Sequence, residues 1–568
     1  MTYRMITATL RARTSVHIGS GEGNDLTDAL LRRDAKGRPF IPGTAIAGAL
    51  RALLTRLAPR LGSKPCAALT GDSHPCDCAV CHLFGDVNPS DSAAETAQST
   101  ASRLLVFNAV PLGHLPRPLF RDGVGIDRVT GAAARAGSVK FDLEVLPAGA
   151  EFESRMELRD PTDEDERLLA AGLAEWEQGR MCLGGRVARG LGAFDLTNLE
   201  YKTFLLDQPE QLLAFLKDDQ PWQRAQSQTG WLKAQLGALH PTPCPPQPDG
   251  VARAWVTLTG ILQAQGPLLT NDISTSDASG FDHAPLLTQC GDWQHPVLTG
   301  AGLRGVLRSH AERIARTLAT HTAGDKADFL SKCPACSSVE SRSDAPLASC
   351  HALLKKGNIP SDKIVDDEHL CLACRLFGST RRGSRLIVED APYYSADCKP
   401  PTFKMLDFLA IDRFTGGGAE GLKFDALVLW KPAFQLSLHM DNPEPWELGW
   451  MALVLRDLAE GWLHVGFGAA KGFGQVTFQN WTVTFGYLTP DDVPEISALS
   501  QGPGKSGVYS TVALTGSTPE WRELAKRWIA AFHEQVSGFS RPRELTLALD
   551  SYFGRVDALY PVLKGGAQ

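Results

Sequence analysis

Apolar and polar residues alternate along YRMITATLRART from Tyr3, the pattern of a strand with one buried face. The spacing changes to every third or fourth residue in GTAIAGALRALLTRLA from Gly43, which predicts an amphipathic helix. RLLVFNAVPL from Arg103 predicts a buried strand, and DEDERLLAAGLAEWEQG from Asp163 a second helix with an acidic first turn, where carboxylates suit the helix dipole. The same succession returns as RAWVTLTGIL from Arg253, TGAGLRGVLRSHAERIART from Thr299, SRLIVEDAPYY from Ser384 and EPWELGWMALVLRDLAEGW from Glu444. Each copy reads strand, helix, strand, hairpin, strand, helix, strand, an α+β arrangement of the ferredoxin-like kind. That fold hosts many functions, so function has to be argued from sites.

Short motifs confirm the internal repeat and fix its register. The turn Ile41-Pro42-Gly43-Thr44 before AIAGALR is matched by Leu298-Thr299-Gly300-Ala301 before GLRGVLR. CAVCHLFGD from Cys78 is matched by CLACRLFGS from Cys371, IDRVTG from Ile126 by IDRFTG from Ile411, and GGRVARGLGAF from Gly184 by GFGAAKGFGQVTF from Gly466. The second copy is longer between its helix turn and its cysteine segment, which places an insertion around residues 320 to 370. These matches divide the chain into a first module over 1–203, a partly helical, proline-rich linker over 204–250, a second module over 251–486 and a C-terminal extension over 487–568. In the extension, Ser517 or Thr518 caps a helix whose face of Trp521, Leu524, Trp528, Ile529 and Phe532 suits core packing and subunit docking equally.

Composition narrows the class of protein. A length of 568 residues with 43% hydrophobic and 21% charged positions is that of an ordinary globular chain with several cores. The start, MTYRMITATLRARTS, has no apolar signal core, and no run reaches the roughly 20 apolar residues of a membrane span. We therefore expect a cytoplasmic protein without a membrane partner. A formal net charge of −7 argues against a chain that grips nucleic acid over its whole surface, but it leaves room for local basic grooves. Arg32, Arg33, Arg38 and Arg51 form one basic cluster, and Arg375, Arg381, Arg382 and Arg385 another.

The 13 cysteines bunch rather than scatter, which in a chain without a secretion signal favours metal over disulfides. Cys333, Cys336, Cys371 and Cys374 form two C-x-x-C pairs that suit a structural zinc shell near 330–378, with Cys350, His351 and His369 in reserve. Cys66, Cys76, Cys78 and Cys81, with His74 as a possible substitute, suit a second shell near 64–86. The glycine-rich segments near Gly184 and Gly466 carry Arg186, Arg189 and Lys471, and glycines let backbone amides approach a phosphate. Gly43, Thr44 and Gly300 open helices, where free amides also favour phosphate.

The ordered set HIGSG from His17, Asp28, PFIPGTAIAGALR, CHLFGD, IDRVTGAAARAG, EVLPAGAEF and a terminal glycine-rich loop resembles the RAMP-superfamily backbone subunit of type III CRISPR–Cas effector complexes. The likeness spans about 1–203 and 251–486, and the tandem arrangement resembles variant systems with fused backbone subunits. It implies a palm that cradles guide RNA and a thumb hairpin that splays guide from target, near 115–148 in the first module and 400–435 in the second. It implies RNA contacts at His17, Gly43, Thr44, Arg51, Arg128, Arg186, Arg189, Gly300, Arg304, Arg308, Arg413 and Lys471. The family cuts target RNA with a loop aspartate. Asp28 stands in that place, with Asp25 and Asp34 as rivals, and Asp282 is its counterpart in the second module, with Asp272 and Asp277 left open. The implied partners are guide RNA, complementary target RNA and further subunits, and the implied cofactors are two structural zinc ions plus Mg or Mn for cleavage. The rival reading is a scaffold whose aspartates are inert.

Overall fold

The computed structural model describes residues 2–25, 27–67, 76–86, 100–128, 131–134, 140–206, 208–219, 221, 225, 227–245, 250–290, 293–343, 347–359, 367–499, 502–516, 518–542 and 545. Its first module runs β1 (Thr2–Ala12), α1 (Gly43–Leu57), β2 (Leu104–Val106), a hairpin of β3 (Leu119–Val124) and β4 (Lys140–Val145), β5 (Glu151–Arg159), α2 (Asp163–Glu177) and β6 (Phe194–Leu205). The sheet order is β2-β5-β1-β6 with antiparallel neighbours, the ferredoxin-like order expected from the pattern. Alternation along β1 puts Ile6, Ala8 and Leu10 in the core, under Ile46, Leu50, Leu54 and Leu57 of α1. α2 starts at a capping box between Thr162 and Asp165, and it packs close to α1 because Gly172 leaves room for Leu50, whose Cδ1 would lie 2.7 Å from an added Cβ.

The second module repeats this build with β7 (Ala254–Ala264), α3 (Gly300–Thr322), β8 (Leu386–Val388), a hairpin of β9 (Phe403–Ile411) and β10 (Gly418–Trp430), β11 (Ala433–Asp441), α4 (Pro445–Ala459) and β12 (Val476–Tyr487). β8-β11-β7-β12 follow the same order, and the C-terminal segment lengthens the sheet: β14 (Tyr509–Thr515) pairs with β12, and β13 (Gly504–Ser506) with β14. α5 (Pro519–Ser537), capped by Thr518, lays Leu524, Trp528 and Phe532 against α4, where the Phe532 ring stacks on Trp450 at 5.1 Å. Of the two readings of that aromatic stripe, core packing is the one the fold uses.

The modules are joined by buried polar contacts as well as by apolar ones. Arg60, fully buried just after α1, donates to the carbonyls of Thr242 and Ala252, each at 2.8 Å, and forms a two-pronged pair with Asp492 at 2.9 Å. It therefore ties the first module to the linker and to the segment after β12. Arg180 lies over the rings of Trp255 and Tyr509 at 4.8 and 5.6 Å. Arg60→Ala leaves Asp492 buried without its counter-charge, so we expect a loss of about 3–5 kcal/mol in denaturant unfolding. A change below about 1 kcal/mol would show that this tie does not matter.

Candidate functional site

In the first module, the short helix Ala79–Phe84 starts at Cys78, and this brings Cys78 and Cys81 onto one side. Cys66 and Cys76 meet them, so that the sulfurs of all four lie within 4.8 Å of one another. In the second module the corresponding cluster is Cys336, Cys350, Cys371 and Cys374, all buried. The expected set had Cys333 in place of Cys350, and the geometry corrects it. The Cys333 thiol donates to the carbonyl of Ala335 at 3.2 Å, so the turn after the helix Lys326–Lys332 points it back at its own chain. Cys350 instead opens a helix capped by Ser349 and faces the other three sulfurs. His74 lies outside the described residues. Four clustered thiols are a closed donor set that fits zinc, and both clusters can hold one ion. Without metal, burial pushes the Cys78 thiol up to about 11 and raises Cys81 as well, so binding has to displace protons.

Two arginines expected to touch RNA serve these clusters instead. Arg51 Nη2 donates to Cys81 Sγ at 3.4 Å, and its counterpart Arg308 donates to Cys374 Sγ at 3.6 Å. Arg308 is buried and also bonds Glu312 at 2.7 Å and the carbonyl of Gly378 at 3.2 Å, leaving nothing for a phosphate. A cation beside a four-thiolate shell offsets its excess negative charge, which explains why the same arginine recurs in both copies. Arg541, near the C-terminal end of the described chain, adds a third contact to Cys350 Sγ at 3.8 Å.

The helix starts are also corrected. The Gly43 amide is taken by Asn108 Oδ1 at 2.9 Å, and the Gly300 amide by Asp390 Oδ1 at 2.8 Å, so neither is open to phosphate. Thr44 stays exposed. His17 is buried with Nδ1 donating to the carbonyl of Glu144 at 2.8 Å, which fixes the base of β4. Arg128 forms a 2.9 Å pair with the buried Glu312 of the second module and is a strut between modules.

The glycine-rich loops keep their cations available. Gly184 has φ +91, and an added Cβ would meet Ile18 Cδ1 at 2.9 Å, so the loop needs glycine there. Arg186 lies 4.1 Å over the ring of Phe141, and Lys471 lies 4.2 Å over the equivalent Phe424. Neither these two nor Arg189 and Arg413 form an ion pair among the described residues. The first loop presses on the second module: an added Cβ on Gly190 would lie 2.9 Å from the Cα of Gly300. Arg189 and Arg304 meet at this junction. Burial, then Arg308 and Arg189, lower Arg304 to about 10, while burial and Arg308 lower Arg189. An anion placed there relieves that repulsion. Arg304 also donates to the carbonyl of Phe377.

The loop aspartates occupy matching places. Asp28 Oδ2 accepts from the amide of Asp142 in β4 at 3.0 Å, and Asp282 Oδ2 accepts from the amide of Asp425 in β10 at 2.9 Å. Both carboxylates thus sit against the second strand of a thumb hairpin, midway along its pairing, and Asp28 is close enough to Arg186 to act on its charge. Among the rivals, Asp34 is engaged by Arg38 and the amide of Lys36, and Asp272 caps the helix Ile273–Ser279 through the amide of Thr275 at 2.7 Å. Asp25 and Asp277 have no described bond that assigns them a role.

Sequence reasoning missed the acidic side of the module junction. Arg121 pairs with Asp390 at 2.7 Å, and Arg13 with Glu389 at 2.6 Å. Glu389 and Asp390 stand where the first copy has Phe107 and Asn108, so the repeat itself held that signal.

A sequence model of the family described as RAMPs, RAMP superfamily, matches residues 9–195 and again 283–477. A search of curated proteins gives no match.

Proposed function

The chain belongs to the RAMP superfamily, which brings a CRISPR-associated RNA-binding role, and on that premise we propose that it is a two-module backbone subunit of a type III effector complex. It holds guide RNA and cuts complementary target RNA. The observation that carries this reading is the repeated seat of Asp28 and Asp282, each tethered to a thumb strand. A glycine-loop cation rests on the neighbouring phenylalanine in each module. Arg186, Arg189, Arg304 and Lys471 are the cations we assign to phosphate, with exposed Thr44 as a further contact.

One oxygen of each exposed aspartate holds the thumb amide, which leaves the other free for substrate. It orients the ribose 2′-hydroxyl for in-line attack on the adjacent phosphate or helps hold a divalent ion. Mg or Mn, when bound, stabilises the charge that builds on the phosphoryl oxygens. The cations fix the backbone on either side, and sequence is left to guide pairing. Cleavage of labelled complementary RNA by the assembled complex is expected to stop with EDTA and resume with Mg or Mn, whereas persistence in EDTA would overturn the metal requirement. Guide affinity is expected to fall with salt and to be nearly indifferent to guide sequence. A flat salt response in a filter-binding titration would remove phosphate neutralisation as its basis. The scaffold reading draws on the same tether, since a carboxylate that holds a thumb amide has a structural task even without chemistry.

A further inference from the structure

The junction between the two modules is an ion-pair code that can be read in each copy separately. Its basic side belongs to the first module: Arg13, Arg121 on β3 and Arg128 at the thumb tip. Its acidic side belongs to the second: Glu389, Asp390 and, on α3, Glu312. Glu389, Asp390, Glu312 and Arg121 are all buried there.

The repeat identifies the counterparts at the two outer ends. Thr55 stands as far beyond Gly43 as Glu312 does beyond Gly300. Asn108 caps Gly43 as Asp390 caps Gly300, and Phe107 precedes it as Glu389 does Asp390. The acidic face of the second module is therefore neutral in the first. On the thumbs, cross-strand pairing of Asp122 with Asp142 and of Asp407 with Asp425 sets Leu406 in the place of Arg121. The backbone amides of Arg13 and Gln265 donate to the matching carbonyls of Ala193 and Gln475, so Gln265 replaces Arg13. Only Arg413 is kept from the basic side. It is exposed on the second thumb beside Phe414, which is 99% exposed, with Met405, Leu409 and Ile411 also exposed nearby.

A second copy adding head-to-tail in the same geometry would set Arg413 against Thr55 and bury its charge without a counter-ion, which is strongly unfavourable. We infer that the second thumb docks on a RAMP-type module of a different chain, whose first helix carries an acidic residue in the place of Glu312, and that this chain does not add to itself. The inference uses the proposed membership of a larger complex but not cleavage, so a scaffold and a nuclease give the same result in the following test.

The probe is a second full-length chain made acidic on its first module by Thr55→Glu and carrying Arg413→Glu, so that it cannot add to itself. Wild-type protein alone is expected to sediment as a monomer up to about 50 μM. Mixed with the acidic variant it is expected to form a heavier species, with association at least about tenfold stronger and lost when the wild-type partner carries Arg413→Glu. Thr55→Asp with Arg413→Glu serves if that variant fails to match wild type in zinc content and circular dichroism. The inference is overturned if the folded acidic variants do not associate with wild type, or if wild type associates with itself. It is equally overturned if Arg413→Glu weakens binding of single-stranded RNA by more than about tenfold, which would make RNA the occupant.

Discussion

Asp28→Ala is expected to remove one of two regularly spaced cleavage products from a complementary RNA, and Asp282→Ala the other. Each module brings its own carboxylate to a strand of its own thumb, so on the proposed reading the two places on the target strand are expected to be cut independently. Loss of a positioned acid–base or metal-holding group costs about 10²–10⁴-fold in rate, enough to erase a band on a denaturing gel. Target binding is expected to survive, because a carboxylate near phosphates contributes repulsion. Each aspartate also accepts a thumb amide, and Asp28→Asn separates the two tasks: the amide acceptor stays while the charge goes. If Asp28→Asn cuts as wild type does, the role is structural. If both alanine variants keep both products, and replacing Asp25, Asp34, Asp272 and Asp277 does as well, the nuclease lies in another subunit.

The second large effect concerns the cysteine clusters. Wild-type chain is expected to carry two zinc ions, and Cys350→Ser or Cys371→Ser one, with the insertion of the second module losing its fold. Structural zinc contributes about 10–16 kcal/mol of apparent binding energy in small zinc domains at neutral pH. Removing one of four ligands forfeits much of that, and Cys350→Ser also takes away the sulfur that Arg541 contacts. Cys333→Ser is the discriminating control. Its thiol is spent on the carbonyl of Ala335, so zinc content is expected to stay at two ions per chain. Metal analysis finding zinc lost from Cys333→Ser as readily as from Cys350→Ser would overturn the ligand assignment.

How far the sequence foretold this structure depended on whether a signal was local or relational. The strands, helices and both cysteine-rich insertions were legible because periodicity and C-x-x-C spacing act over a few residues. Asp28 and Asp282 were placed by the family resemblance, and the structure gives them equivalent amide partners. Cys333 was misassigned because spacing says that two thiols are near each other and nothing of where each one points. Arg51 and Arg308 were misread for a related reason. A cation early in a helix suits a phosphate, but only the fold shows that CHLFGD and CRLFGS bring their sulfurs to it. The module junction was overlooked because comparing the copies for what they share hid the positions where they differ in charge.

The strut from Arg128 to Glu312 also bears on how a complex built from this chain is counted. Between separate proteins such a joint forms only at concentrations set by its affinity, whereas inside one polypeptide the partners meet at an effective concentration on the order of millimolar. The joint therefore closes in every chain, however scarce the protein is in the cell. On the proposed reading, backbone modules of this kind would enter an assembly in pairs of fixed order, and the register of the two thumbs along a guide would be inherited from the gene and owe nothing to expression level.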